Sequence, residues 1–341
     1  MPAPKLNARM FTVSVVVFYA LSALMAITIL STSVQIASVL SVMLLIPLYL
    51  WYRIATISRE LRDFHSKSIR LAVFLPLLLF GLAMSVRAPF VVDFHFPLEK
   101  TPLIFLLLLT LTFAEKYSTS SFGFSVQKLL RNVLLGITLY LAVRLVIDVL
   151  YFAFGLIPIR GYDLVAFLFA FPFATFAVGI AEEGLFRGYM QTKFSSITGP
   201  WKAILLQAVL FGLWHLVWHI KPLRLGDMAI HVAATFLFGV LAGAYFRYTR
   251  NLTSLVLLHG LWDSVPAGFK LVSSSFTPIS ISTVVKELFA GNIISLLTVL
   301  LSDSSFVASS VSIVVGIFLV VFAKKVCAAF GLVCERPLGV H

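Results

Sequence analysis

Apolar residues run along this chain in long blocks separated by short polar connections, a pattern of helices that cross hydrocarbon rather than of a soluble core. A spanning helix needs about 20 apolar residues, with a range of about 17–25. Blocks approaching that length are Phe11–Leu30, Val34–Trp51, Leu71–Val86, Pro102–Ala114, Val133–Phe154, Leu164–Ala181, Ala203–Trp218, Met228–Tyr248, Leu252–Phe269, Val285–Leu301 and Phe306–Phe322. The fourth, seventh and tenth are short, so the pattern predicts about eight to eleven transmembrane helices. The expected fold is an all-α polytopic membrane protein, a bundle with an intramembrane site.

Loops between the blocks orient the bundle. The connection "RIATISRELRDFHSKSIR" (Arg53–Arg70) is strongly basic and shares a side with Lys5 and Arg9 if the first two helices form a hairpin. Cytoplasmic loops carry the excess of Lys and Arg, so the N-terminus is expected in the cytoplasm. The same alternation places Lys116, Lys128 and Arg131 inside, then Lys193 and Lys202, then Arg247 and Arg250. Eleven spans would put Lys324, Lys325 and Arg336 outside. An even count, with Val285–Leu301 not fully spanning, fits better. The opening "MPAPKLNARMFTVSVVVFYA" reads as an uncleaved first helix, since its apolar run exceeds that of a signal peptide. The segments "YSTSSFGFS" (Tyr117–Ser125) and "LVSSSFTPISIS" (Leu271–Ser282) are the candidate boundaries. They divide the chain into an N-terminal helical region (1–125), a central core (126–270) and C-terminal helices with a tail (271–341).

Composition strengthens the membrane reading. Hydrophobic residues make up 60% of the 341 and charged residues 12%, against about 45–50% and about 25% in soluble domains. A net charge of +12 raises nucleic acid as a partner, but the basic residues lie in the loops and no basic run is interleaved with aromatics; nucleic acid is set aside. Cys327 and Cys334 make neither a disulfide framework nor a zinc site and are read as free thiols.

Against this apolar background three groups of ionisable residues stand out. An intramembrane charge costs about 2.5–3.5 kcal/mol at the helix centre on insertion scales, and so marks a functional site when a partner exists. The first group is "EEGLFR": Glu183 and Arg187 lie four apart and stack on one helix face, whereas Glu182 is rotated by about 100° and can act as a base. Taken alone, the three could equally be interfacial anchors at a helix end. The second is "FGLWHLVWH", where Phe211 and His215 share a face and His219 extends the row or simply begins the polar stretch that follows. The third is "LVLLHGLWD", with His259 and Asp263 four apart, as a reactive pair or as a pair that pins its own helix. Together they suit water activation, because a carboxylate in an apolar pocket becomes a stronger base and other donors can hold an oxyanion. Arg144 and Asp148 are expected to pair with each other, and His231 to face the site or to be a lone polar residue. Gly239 and Gly243 suit close helix packing. The sequon Asn251-Leu-Thr253 falls on the side assigned to the cytoplasm.

EExxxR, FxxxH and HxxxD in this order resemble the CPBP family, the CAAX-protease and bacteriocin-processing (Abi) group that includes the Rce1-type prenyl-protein proteases. The resemblance covers roughly Gln127–Phe269. It implies an intramembrane glutamate protease acting near the C-terminus of a lipidated or membrane-anchored peptide or protein, with no cofactor. Glu182 and His215 would activate water, His259 and Asp263 would line the oxyanion site, and Glu183 and Arg187 would hold the arrangement. Some members carry Asn where this chain has Asp263; an ionised Asp would repel an oxyanion, so Asp263 would be protonated or would orient His259. Zinc held by Glu182, Glu183, His215 and His259 is the runner-up mechanism, although HExxH is missing, as are the GxGD and GxSG motifs of other intramembrane proteases. The competing functions are a non-catalytic bacteriocin-immunity-type protein and a transporter using the acids as a proton relay.

Overall fold

The computed structural model describes residues 69–92, 122–146, 149, 159–220, 223, 225–271, 286–287, 289–291, 293–295 and 304–333. The expected spans Phe11–Leu30, Val34–Trp51 and Pro102–Ala114, most of Val285–Leu301, and Cys334 lie outside these residues. Helix α1 is Ile69–Val92. Helix α2 is Leu129–Tyr140, followed by a π-helical turn, Leu141–Leu145. Strand β1 (Ile159–Tyr162) leads to α3, Leu164–Thr198. Helix α4 (Pro200–Trp214) continues as a 3-10 helix, His215–His219. Next come α5 (Leu225–Thr249), α6 (Thr253–Ser264), a 3-10 turn (Val265–Gly268), strand β2 (Phe269–Leu271) and α7 (Ser304–Ala329).

The all-α membrane architecture is as the apolar pattern predicts, with three described helices long and apolar enough to cross a bilayer: Leu164–Thr198, Pro200–His219 and Met228–Thr249. Large apolar side chains line the outside, among them Leu82, Leu130, Leu168, Leu205, Ile230 and Val321, while Glu182, Glu183, Arg187 and Gln191 are buried inside. A surface this apolar suits lipid, and buried ionisable groups facing the bundle interior are the membrane pattern.

Two of the boundary differences from the sequence reading bear on the site. The span expected to stop at Ala181 runs on to Thr198, a helix of 35 residues, so the glutamates sit near its middle and are not interfacial anchors at its end. The Leu252–Phe269 block contains only a 12-residue α-helix before it tightens into the 3-10 turn. There Phe269–Leu271 leaves the helix altogether to pair antiparallel with β1, and Asp163 N–H donates to the Gly268 carbonyl at 2.6 Å. This ladder ties the entrance of α3 to the exit of α6.

Local chemistry explains the element ends. Asp163 caps α3, its Oδ1 accepting the Ala166 N–H at 3.0 Å. Within α3, Pro172 lacks a donor and crowds the preceding turn. The helix widens to π geometry over Phe173–Gly179 and again over Gly184–Gln191, with a short α stretch, Ile180–Glu183, between. π-bulges of this kind are frequent at functional sites, and here they flank the glutamate pair. Gly199, with φ of +82°, makes the sharp turn before Pro200 starts α4.

Two apolar clusters carry the packing. One joins α2, α5, α6 and α7 through Leu135, Leu139, Tyr245, Leu255, Leu258 and Cys327; the other joins α1, α3 and α4 through Leu79, Phe186, Tyr189, Phe211 and Trp214, with Phe122 from the segment before α2. The GxxxG of α5 packs on α4: a Cβ at Gly239 would lie 2.9 Å from Ala208. Gln207 and Gln191 donate side-chain amides to the carbonyls of Gly239 and Gly243 at 2.8 and 2.9 Å. Small residues that let backbones approach, with polar side chains across the contact, are the usual glue of membrane helices.

Candidate active site

The two glutamates reach different partners, as their angular offset on the helix predicts. Glu183 Oε1 accepts from Arg187 Nη1 at 3.0 Å, both side chains fully buried, and the guanidinium lies 4.2 Å over the Phe211 ring. Glu182 Oε1 accepts the indole N–H of Trp214, on α4, at 2.9 Å. Glu182 is 1% exposed, so this hydrogen bond is made out of contact with bulk water.

His259 on α6 joins the pair. Its Nδ1 is 2.8 Å from Glu183 Oε1; a carboxylate oxygen accepts, so Nδ1 carries a proton and donates. Its Nε2 faces Glu182 Oε2 at 3.4 Å and Asp263 Oδ2 at 3.6 Å. One imidazole therefore contacts all three carboxylates. Its position depends on how closely α6 approaches α3. A Cβ at Gly260 would stand 2.1 Å from Thr175 Oγ1 and 2.9 Å from Thr175 Cα, and one at Gly179 would meet the Val256 carbonyl at 3.0 Å. Asp263 is the most exposed of the set, with 42% of its side chain accessible.

His215 lies where α4 gives way to 3-10 geometry, and its Nδ1 is 2.8 Å from the Phe211 carbonyl. The carbonyl can only accept, so Nδ1 donates. Its ring is 4.9 Å from Phe211, and the ring of His259 is 6.3 Å from the same phenyl. Phe211 is thus a wall shared by both histidines.

The structure brings Glu182, Glu183, Arg187, His259 and Asp263 into one connected cluster, with His215 beside it. Two expectations are corrected. His219 does not extend the Phe211–His215 row, because the change to 3-10 winding at residue 215 breaks the α periodicity. His231 is not a lone polar residue: its Nδ1 is 2.9 Å from His219 Nε2, and its ring is 5.1 Å from that of His215. The Arg144–Asp148 pair cannot be followed, since Asp148 falls outside the described residues; Arg144 lies 5.8 Å from the Trp262 ring. The Asn251 sequon is structural, its Oδ1 accepting Thr253 N–H at 2.8 Å and its Nδ2 donating to the Ser125 carbonyl at 2.9 Å.

Sequence reasoning missed Arg87 and the role of Trp214. Arg87 is fully buried on α1, and an arginine inside the run "AMSVRAPF" was the available signal. Trp214 lies within the "FGLWH" motif, but nothing in the spacing shows that its indole N–H reaches Glu182.

Of the runner-up zinc ligands, Glu182, Glu183 and His259 meet one another, but several of their donor atoms are already engaged. Glu183 Oε1 is shared by Arg187 and His259, and His215 Nδ1 is committed to a carbonyl. Among the described residues no three His, Cys, Asp or Glu side chains are grouped to hold a metal ion.

Residues 164–265 match the family model described as type II CAAX prenyl endopeptidase Rce1-like. The match begins at α3 and ends one residue after α6, a narrower stretch than the Gln127–Phe269 resemblance, and contains the whole glutamate–histidine cluster. This segment is thus similar to the Rce1-like family, and it lies within an integral membrane protein. No curated protein and no solved structure matches the chain.

Proposed function

We propose that this chain is an intramembrane endopeptidase, hydrolysing a peptide bond near the C-terminus of a lipidated or membrane-anchored substrate with water activated by Glu182 and His215. The observation that carries this reading is the placement of His259, anchored on Glu183 through Nδ1 and facing Glu182 and Asp263 through Nε2, inside an Rce1-like segment. The N-terminus faces the cytoplasm in this reading.

In this mechanism the Trp214 N–H occupies Glu182 Oε1, so Oε2 is the oxygen that takes a proton from water. A base at the right position contributes about 10²–10⁴-fold to such a step. The His215 Nε2 lone pair accepts the second water hydrogen and aligns the attacking oxygen. Hydroxide adds to the scissile carbonyl carbon, and the negative charge on its oxygen is held by donors that already point inward, of which His259 Nε2–H is one. The proton held by Glu182 passes to the leaving nitrogen as the C–N bond breaks, yielding a carboxyl product and an amine. In this mechanism Asp263, with Oδ2 3.6 Å from His259 Nε2, orients the imidazole through its acceptor oxygen.

The test is cleavage of a prenylated C-terminal peptide by purified protein carrying Glu182→Gln, which preserves shape and removes the base. Cleavage is expected to fall by about 10³-fold while the variant stays folded and monodisperse in detergent; undiminished cleavage overturns the proposal. Retained bacteriocin immunity in cells expressing the variant would favour the immunity reading, and proton-coupled uptake into vesicles the transporter. Stoichiometric zinc whose removal abolishes wild-type cleavage would replace this mechanism with the metal-dependent one.

A further inference from the structure

Helix α1 lies outside the matched segment, yet it sends a buried cation to the residue that holds Glu182. Arg87 Nη1 donates to the backbone carbonyl of Trp214, and its guanidinium lies 4.1 Å over the indole ring of the same residue. Trp214 is the last α-helical residue of α4, where the winding changes to 3-10. Arg87 therefore holds the carbonyl at this change of winding and stacks on the side chain of the same residue. Phe80, two turns earlier on α1, closes on the indole at 6.3 Å, and Phe186 of α3 meets it edge-on at 5.7 Å. Backbone and ring of Trp214 are thereby both fixed, and its N–H points at Glu182 Oε1.

We infer that Arg87 is a positioning residue for the proposed hydrolysis, acting through Trp214 to hold Glu182 with Oε2 toward the reacting water. A planar guanidinium both stacks and donates in one geometry, which an ammonium cannot do. Helix α1 is then part of the reaction apparatus. This inference rests on the protease reading above.

The experiment is a double-mutant cycle on the full chain, using kcat and KM for the prenylated peptide with Arg87→Lys, Trp214→Phe and the pair. Loss of a hydrogen bond to a charged group corresponds to roughly 10- to 100-fold. Each single variant is expected to lower kcat by about tenfold or more, with KM changed by less than about twofold. In the Trp214→Phe background, where no indole N–H reaches Glu182, Arg87→Lys should lower kcat no further. Independent, multiplying losses would overturn the inference, as would a loss confined to KM or wild-type kcat in Arg87→Lys. If Arg87→Lys does not fold, Trp214→Phe alone decides: unchanged kcat in that variant removes the link to Glu182. Wild-type protein that cleaves nothing, or a fully active Glu182→Gln, would count against the protease reading instead.

Discussion

At the scale of single residues, the glutamate doublet separates into two jobs. Glu183 neutralises Arg187 in a site from which water is excluded. Breaking a buried pair by removing one partner costs about 3–5 kcal/mol, because the other charge stays buried alone. Glu183→Gln is therefore expected to lower the unfolding midpoint in detergent strongly and to release His259, whereas Glu182→Gln leaves that ion pair intact and should stay close to wild-type stability. Thermal unfolding of the two variants side by side measures the contrast; equal losses would mean that the doublet is a single electrostatic unit. Asp263 is distinguished by its exposure, 42% of its side chain. If it orients His259 through its acceptor oxygen, Asp263→Asn retains such an oxygen and should keep cleavage within about tenfold of wild type, while Asp263→Leu should fall further. Cleavage rates that drop equally in both would assign Asp263 a role only the acid can fill.

At the scale of elements, the site exists because α6 can lie against α3 at glycine distance. Gly260→Ala would drive a methyl group into Thr175 Cα and Oγ1, and the backbone atom cannot rotate away. Overpacking of this kind costs about 1–3 kcal/mol, and here the shift also carries His259 off Glu183, one residue from the substitution. Both stability and cleavage should fall in this variant. Gly81 on α1 is the control: among the described residues a Cβ there meets nothing within 4 Å, and alanine is the better helix former by up to about 1 kcal/mol. Gly81→Ala should leave activity unchanged with stability equal or slightly higher, by thermal unfolding and the peptide assay together. Asn251 makes a similar element-level point, because its side-chain amide ties the start of α6 to the Ser125 carbonyl. That nitrogen is the one a glycan would need, so the folded protein should carry none at this position when intact mass is measured after expression in a glycosylating host.

At the scale of the whole molecule, the apolar pattern made the all-α membrane fold legible, and the order EExxxR, FxxxH, HxxxD marked the residues that meet. Periodicity separated Glu182 from Glu183, because angular offset on a helix is read directly from spacing. Less legible was whatever depends on how helices change or meet. The continuation of α3 to Thr198 passes through Glu182, Glu183 and Arg187, which a hydropathy window treats as an end although each is compensated inside the bundle. The 3-10 winding at His215 moved His219 toward His231, and no residue type signals that change. The contact of Arg87 with Trp214 joins positions 127 apart in sequence, beyond the reach of any local pattern. It leads to the last prediction, which concerns the division of labour along the chain. When residues 121–341 are produced alone, they retain the Rce1-like segment but lose α1, and with it Leu79, Ala83 and Arg87 from the cluster around Phe186 and Trp214. Cleavage by that fragment should fall well below that of the full chain. Co-expression with residues 1–120 should restore much of it, since membrane helices inserted separately can still associate by packing. The same fragment carrying Arg87→Ala should restore the complex, measured by co-purification, but not the cleavage rate. Equal rescue by both fragments would show that α1 serves the bundle only as packing, and that Glu182 is held without the cation.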